Sequence, residues 1–210
     1  MKHSQPFPHR AFIVTVSTVM LGAWLTVGPS LGSASAATPA AARYSLWGTV
    51  GRVEEADVNP VELGVKFRAD VEGHVTAVRF YRAVAIDSGY KVRIWSASGD
   101  LLGAGLAVEG QGPTPGWQQV AIYPPVPITA GQTYIASYYA SKGQYSVSEN
   151  YFTNSTVTNG PIRALSDGED GGNGVFLYGE GGGFPNQTYN ASNYWVDVVF
   201  TPTPLPQAGQ

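Results

Sequence analysis

The sequence predicts an all-β protein, a single antiparallel β-sandwich of jelly-roll or immunoglobulin-like kind. Several segments alternate apolar and polar residues, the period of two that turns one face of a strand to a core and the other to water. No window of about a dozen residues keeps a helical period. Turn residues are abundant, with 26 glycines and 15 prolines among 210 residues. Short alternating strands separated by turns are typical of two packed sheets.

The amino terminus has the layout of a secretory signal peptide. Lys2 and Arg10 precede an apolar stretch at 11–25, and small residues follow as far as Ala34 and Ala36. The apolar stretch is shorter than the ~20 residues that cross a bilayer. We therefore expect cleavage after Ala36, no membrane span in the mature chain, and a secreted, extracellular protein.

Domain organisation follows from length. Without the signal peptide, residues 1–36, the chain keeps 174 residues, enough for one domain with a real core. Residues 37–43 form a flexible spacer and 44–201 the sandwich domain. Residues 202–210 form a Pro-rich tail, because the Thr-Pro-Thr-Pro-Leu-Pro segment that begins at Thr201 lacks the amide hydrogens that a strand needs.

The first half of the domain gives the clearest strands. Apolar residues occupy every odd position of 61–67, and charged residues or glycine the even ones. A strand at 75–82 follows the turn pair Glu72-Gly73. Segment 90–95 alternates again, and the turn at 96–100 joins it to the apolar run 101–108, which predicts a hairpin.

The second half is predicted to add five strands, each bounded by turn residues. They lie at 117–122, 133–139, 144–147, 175–178 and 194–200.

Charge and cysteine content exclude some classes of protein. After loss of the leader, 10 Lys and Arg face 15 Asp and Glu, the opposite of what a nucleic-acid surface requires. The chain has no cysteine, so packing and not disulfides must stabilise it.

Catalytic machinery is scarce. His74 is the only histidine outside the leader, and no Gly-x-Ser-x-Gly motif, zinc-ligand spacing or phosphate-binding glycine loop occurs. We therefore expect a protein that is not an enzyme. A hydrolase with paired carboxylates stays open, because carboxylate separation cannot be read from sequence.

One glycine-rich segment is a candidate metal site. Asp167, Glu169, Asp170 and Asn173 offer the oxygen ligands that calcium prefers. The segment departs from the EF-hand pattern, since the twelfth position is Tyr178 and not glutamate. The alternative is a solvated glycine turn. Calcium is thus a possible ligand, and no other cofactor is expected.

Aromatic residues are the other candidates for ligand contact. Tyr138 and Tyr139 are neighbours in a strand and must face opposite sides. If the even positions of 194–200 point inward, Trp195 and Asp197 point outward together. We therefore predict Trp195, Asp197 and Tyr139 as ligand-binding residues, because exposed large aromatics commonly mark binding surfaces.

Several segments agree, in order, with one known family. They are Glu62-Leu63-Gly64-Val65-Lys66-Phe67, Val78-Arg79-Phe80-Tyr81, Gly116-Trp117-Gln118-Gln119-Val120, Tyr134-Ile135-Ala136-Ser137-Tyr138, Asn159-Gly160-Pro161, Gly171-Gly172-Asn173-Gly174-Val175 and Asn193-Tyr194-Trp195-Val196-Asp197-Val198-Val199-Phe200. From about Tyr44 to Thr201 the chain resembles the bacterial domain-of-unknown-function 4082 family. The resemblance implies an extracellular β-sandwich module, often joined in larger proteins to immunoglobulin-like, fibronectin-like or catalytic domains. It implies no activity and no site residues.

The function we expect is that of a secreted, non-catalytic binding module for carbohydrate or another cell-envelope ligand. The alternative is a structural or adhesion module that contacts another protein, and a carboxylate-based hydrolase is the third hypothesis. Each predicts a different surface: exposed aromatics, a flat apolar patch, or two acids across a cleft.

Overall fold

The computed structural model describes residues 41–51, 54–55, 58–84, 90–106 and 112–203, with 54–55 described as backbone only. These residues belong to one compact unit, 39–210. The predicted signal peptide, most of the predicted spacer and residues 204–210 of the predicted tail lie outside the described residues. No helix among the described residues is long and apolar enough to cross a membrane.

Thirteen strands are present in the described part of the chain. They are β1 (Glu54–Glu55), β2 (Val61–Ala69), β3 (Gly73–Arg82), β4 (Lys91–Ser96), β5 (Leu101–Leu106), β6 (Gly116–Ile128), β7 (Tyr134–Ala140), β8 (Ser146–Val147), β9 (Val157–Asn159), β10 (Ile162–Ala164), β11 (Val175–Tyr178), β12 (Gln187–Thr188) and β13 (Val196–Pro202).

Two antiparallel sheets make up the sandwich. The larger sheet has the order β12-β11-β2-β7-β4-β5, with β10 paired to β2 and β9 paired to β10. The smaller sheet has the order β13-β3-β6, and β1 and β8 form a separate pair. The predicted fold class, an all-β antiparallel sandwich, is confirmed.

The core lies between the two sheets. Phe80 of β3 stacks on Tyr138 of β7 with ring centroids 4.5 Å apart, and Tyr90 lies 4.8 Å from Phe80. Alternation places these residues inward, since every second side chain of a strand points to the same face. The inward residues predicted for β2 are all buried: Val61, Leu63, Val65 and Phe67.

The long predicted strands are present, and the predicted hairpin of β4 and β5 is confirmed by their antiparallel pairing. Four short strands were not predicted, namely β1, β9, β10 and β12. Each has two or three residues. A period of two cannot be recognised in so short a segment, so these strands depend on the tertiary partners that they pair with.

The last strand, β13, continues one residue into the segment predicted as the Pro-rich tail. Thr201 pairs with His74 and Pro202 with Gly73, so β13 continues through both. Proline is tolerated where a strand ends, because its carbonyl can still accept a hydrogen bond. The following amide, from Thr203, donates to the carbonyl of Glu72 at 2.9 Å.

Candidate functional site

The residues predicted to contact a ligand are all buried. Trp195 is 1% exposed, Asp197 0% and Tyr139 5%. The premise that they lie on an exposed surface is therefore wrong, although Tyr138 and Tyr139 do face opposite sides of β7 as predicted. Each of the three is covered for a different structural reason.

Trp195 precedes β13 and does not continue its alternation. Its φ of +54° is left-handed, a conformation that few non-glycine residues adopt. The side chain of Asn193 holds this turn by accepting the Trp195 N–H at 2.8 Å. The indole turns towards Trp47 and Tyr151, at centroid distances of 6.1 and 5.4 Å. Trp195 is thus a core residue.

Asp197 does lie on the outer face of β13, but the chain before β1 covers it. Its Oδ1 accepts the amide hydrogens of Leu46 at 2.6 Å and Val198 at 2.7 Å. Its Oδ2 accepts from the Trp47 amide at 3.4 Å and pairs with Arg79 at 3.1 Å. The carboxylate therefore ties the amino-terminal segment to the smaller sheet.

Tyr139 lies on the outer face of the larger sheet under the loop at 179–183. Its hydroxyl accepts a hydrogen bond from the Gly181 amide at 2.9 Å and donates one to Glu180 at 3.3 Å. Gly182 has a φ of +68° and lies against the Tyr139 ring and the Glu62 carboxylate. A side chain there would have no room, so glycine lets the loop seal this face.

Beneath the same loop lies a buried ion pair that the sequence did not indicate. Glu62 is fully buried, accepts a hydrogen bond from Ser137 Oγ at 2.6 Å and is paired with Arg93. Ser137 Oγ in turn accepts the indole N–H of Trp95 at 2.8 Å. Arg93 also donates to the Gly181 carbonyl at 3.0 Å, so the pair fastens the loop to the sheet.

Burial changes the acidity of two of these carboxyl groups. Loss of water raises the pKa of Glu62 to about 7, although Ser137 and Arg93 act in the opposite direction. Burial likewise raises the pKa of Asp197 to about 6, against the Leu46 amide and Arg79. Both acids bind a proton more tightly in the folded than in the unfolded chain.

Stability is therefore expected to fall as the pH rises from about 4 to about 7. In this window the unfolded chain ionises its carboxyl groups while the folded chain retains protons, so ionisation favours unfolding. Asp100 and Asp170 have lowered pKa values and act below this window. For Glu62 the change from 4.5 to about 7 corresponds to about 3 kcal/mol.

Urea unfolding of the wild type and of Glu62→Gln at about pH 4.5 and about pH 7.5 checks this expectation. The glutamine variant should lose less stability over the interval than the wild type, because it has no proton to release. Equal losses in the two proteins would show that Glu62 titrates as it does in water.

The predicted calcium segment is a connected part of the larger sheet. Glu169 pairs with Arg68 at 3.1 Å and Arg163 at 2.6 Å. Asp170 pairs with Arg68 at 3.0 Å and accepts a hydrogen bond from Thr133. In the described part of the chain, no group of three or more histidines and acids is arranged to hold a metal ion. Calcium binding stays a prediction.

Asn173 in this segment is a structural residue. β2 pairs with β11 over its first half and with β10 over its second, and Lys66 lies between the two. Asn173 Oδ1 accepts the Lys66 amide at 2.8 Å, while its Nδ2 donates to the carbonyls of Lys66 at 3.1 Å and Leu165 at 2.7 Å. The side chain thus replaces a strand partner where the backbone changes neighbours.

The four tryptophans among the described residues divide into two kinds. Trp47, Trp95 and Trp195 are buried, and their indole N–H groups donate to Tyr151, Ser137 and Ser148. Trp117 on β6 is partly exposed, and its indole N–H has no hydrogen-bond acceptor among the described residues. It is therefore the described tryptophan with both a ring and a donor to offer a ligand.

Trp117 belongs to a row of outward residues on β6, an edge strand of the smaller sheet. This outer strip consists of Trp117, Gln119, Ala121 and Tyr123, with Tyr123 90% exposed. Six residues of extended strand separate its two aromatic ends by about 20 Å. The strip therefore has an aromatic side chain at each end, with polar Gln119 and small Ala121 between them.

The next strand supports the strip. Tyr81 of β3 contacts Trp117 edge-on at 5.8 Å, and the Arg79 guanidinium lies 4.6 Å from the centre of the indole ring. Arg79 is itself held by buried Asp197. The position of Trp117 is thus fixed before any ligand arrives, which lowers the entropy cost of binding.

Sequence reasoning could have found part of this strip. Alternation in 116–123 assigns Trp117 and Tyr123 to the same face as Gln119, the polar side of the strand. Which sheet β6 joins, and whether another layer covers it, depends on contacts far apart in the chain.

The fold and the strip together define a class of protein: a β-sandwich module with an open aromatic surface on its smaller sheet. Within that class, the chain belongs to the DUF4082 family, a domain of unknown function, whose family model matches residues 48–196. The resemblance found in the sequence is thereby confirmed. A search of curated proteins finds no match.

Proposed function

We propose that this protein is an exported, non-catalytic module that binds polysaccharide of a cell envelope through the outer strip. The observation that carries the proposal is Trp117, a pre-positioned indole whose N–H donates to none of the described residues. A flat aromatic ring contacts the apolar C–H face of a sugar, and the N–H can donate to one of its hydroxyls.

The length and composition of the strip favour an extended chain over a single sugar. Trp117 and Tyr123 stand about 20 Å apart along the strand, a span of several sugar rings. Gln119 lies between them and can both donate and accept hydrogen bonds. The two rings would thus contact separate units of one polymer.

The proposal is tested by retention on insoluble polysaccharides and cell-wall preparations. The protein used is residues 37–210, which contains the whole compact unit 39–210. We expect retention on at least one polymer, about tenfold weaker in Trp117→Ala and weaker also in Tyr123→Ala, since one aromatic contact contributes about 1 kcal/mol. The assay is run with and without calcium.

Tyr189→Ala is the matched control. Tyr189 is 56% exposed and lies outside the strip, between β12 and β13. Its loss should leave retention unchanged. Retention that persists in Trp117→Ala and Tyr123→Ala would place the binding surface elsewhere, and absence of retention on every polymer would end the proposal.

Two features of the described residues support a non-catalytic role. Hydrolysis of a glycosidic bond usually needs two carboxyl groups that face each other across a cleft. Among the described residues, a cleft beside Tyr178 is lined by one acid, Glu180, and a cleft beside Phe184 is lined by one acid, Asp170. Glu62, whose raised pKa would suit a general acid, is sealed beneath the 179–183 loop.

A second candidate function is adhesion to another protein. Leu101, Leu102 and Leu106 are exposed on β5, the last strand of the larger sheet. Apolar residues grouped on an edge strand favour contact with a protein partner. Retention on whole cells that is lost in a Leu101→Lys, Leu106→Lys double variant, and kept in Trp117→Ala, would favour this function over the first.

A further inference from the structure

The cleft beside Phe184 lies above the outer face of the larger sheet, on the opposite side of the sandwich from the outer strip. It has a volume of about 180 Å³ and lies between the segment that holds Asp170 and the segment 184–186. Neither the outer strip nor the buried Glu62 pair is part of its wall. The volume equals that of about six water molecules, too small for a polymer chain.

One side of the cleft is apolar. Ile135 and Val175 are buried beneath it, and Phe184 is partly exposed at its wall. The Phe184 ring is held edge-on against Trp95 at 5.7 Å. These residues form the small cluster on the outer face of the sheet, so the wall is fixed by packing.

The other side is polar and retains unused hydrogen-bonding capacity. Lys66 Nζ donates to the Asp170 carbonyl at 2.6 Å, and its other two donors bond to no described residue. Asp170 Oδ2 accepts from Arg68 and Thr133, whereas Oδ1 accepts from no described residue. The exposed amide of Asn186 makes no hydrogen bond to the described residues.

The two charged side chains that line the cleft have opposite signs. The Lys66 ammonium opposes the Asp170 carboxylate, and Arg68 is paired with Asp170 and Glu169. A ligand with a net charge would therefore gain little. A neutral molecule that offers hydroxyls to a carboxylate oxygen and an ammonium, and an apolar face to an aromatic wall, satisfies both sides.

From this combination we propose that the cleft binds one neutral sugar ring. The pair of Asp170 Oδ1 and Lys66 Nζ supplies an acceptor and a donor for neighbouring hydroxyls, and Asn186 supplies both. Phe184 contacts the C–H face of the ring. The site is independent of the outer strip and takes a single unit, such as a chain end or a free monosaccharide.

The proposal is tested by saturation-transfer NMR of residues 37–210 with a panel of neutral hexoses, a pentose and an N-acetylated hexosamine. We expect transfer to at least one sugar. Ala97→Trp, which fills the cleft from an exposed turn, should abolish it. Asn186→Ala should weaken affinity about tenfold, the loss of hydrogen bonds worth about 1.4 kcal/mol.

The controls separate this site from the strip. Asn154→Ala, an exposed asparagine outside the cleft, and Trp117→Ala should both leave transfer unchanged. Monosaccharide transfer in a protein that no polymer retains would support the cleft and refute the strip. Absence of transfer to every sugar, or transfer that both Ala97→Trp and Asn186→Ala leave intact, would overturn the inference.

Discussion

Replacing Asp197 with alanine is expected to destabilise the protein by about 3–5 kcal/mol at neutral pH, because it breaks a buried ion pair. The carboxylate accepts the amide hydrogens of Leu46, Trp47 and Val198 and pairs with Arg79. Its removal leaves these donors and the Arg79 charge without their partner in a buried place. Such groups lose water without regaining hydrogen bonds.

Urea unfolding followed by tryptophan fluorescence measures this loss. Asp197→Asn, which keeps the volume and one acceptor, should lie between the wild type and the alanine variant. Glu72→Ala is the control, since Glu72 is an exposed acid in the turn between β2 and β3. A change below about 1 kcal/mol in Asp197→Ala would mean that the amino-terminal segment is not tied to β13 by this side chain.

Replacing Trp195 with alanine is also expected to cost about 3–5 kcal/mol, the usual range for removing a large buried aromatic. The cavity would open between Trp47 and Tyr151, both in edge contact with the indole. Ser148 Oγ would lose the hydrogen bond that it accepts from the indole N–H at 3.2 Å. The free-energy loss lies lower in this range the more the neighbouring side chains relax into the cavity.

Thermal and urea unfolding of Trp195→Ala and Trp195→Phe provide the measurement. Phenylalanine keeps the ring in the core and should recover more than half of the loss. Trp117→Ala, the partly exposed counterpart, should change stability far less. Similar stability of Trp195→Ala and wild type would contradict the burial of Trp195 and restore it as a candidate ligand residue.

Local periodicity was sufficient to predict the fold class. The alternation in 61–67 and 90–95 predicts which side chains point into the core, and these side chains are buried in β2 and β4. The short strands form on edges that other strands leave free: β10 on β2, β9 on β10, and β12 on β11. That information belongs to residues far away in the chain and leaves no local pattern.

The candidate site could be predicted only in part, and for a definable reason. Alternation correctly predicted that Asp197 and Tyr139 point away from the core between the sheets. It does not predict whether another segment covers the outer face of each sheet. Residues 46–47 cover one, and the 179–183 loop covers the other. Trp117 obeys the same rule on β6, where no such cover is described.

For Trp195 the alternation rule gave the wrong orientation, because the rule holds only where the backbone is extended. Its left-handed φ, held by the Asn193 side chain, reverses the direction of the indole one residue before β13 begins. An asparagine two residues ahead is a weak local signal of such a turn. This signal argues against the predicted exposure of Trp195.

The central claim is that Trp117 is the tryptophan that meets the ligand. Its most direct test is a titration of ¹⁵N-labelled protein, residues 37–210, with soluble oligosaccharides of whichever polymer retains it. Four indole N–H signals are expected from Trp47, Trp95, Trp117 and Trp195. The account predicts that the signal lost in Trp117→Phe shifts on titration while the other three stay in place; movement of a buried indole with Trp117 unmoved would contradict it.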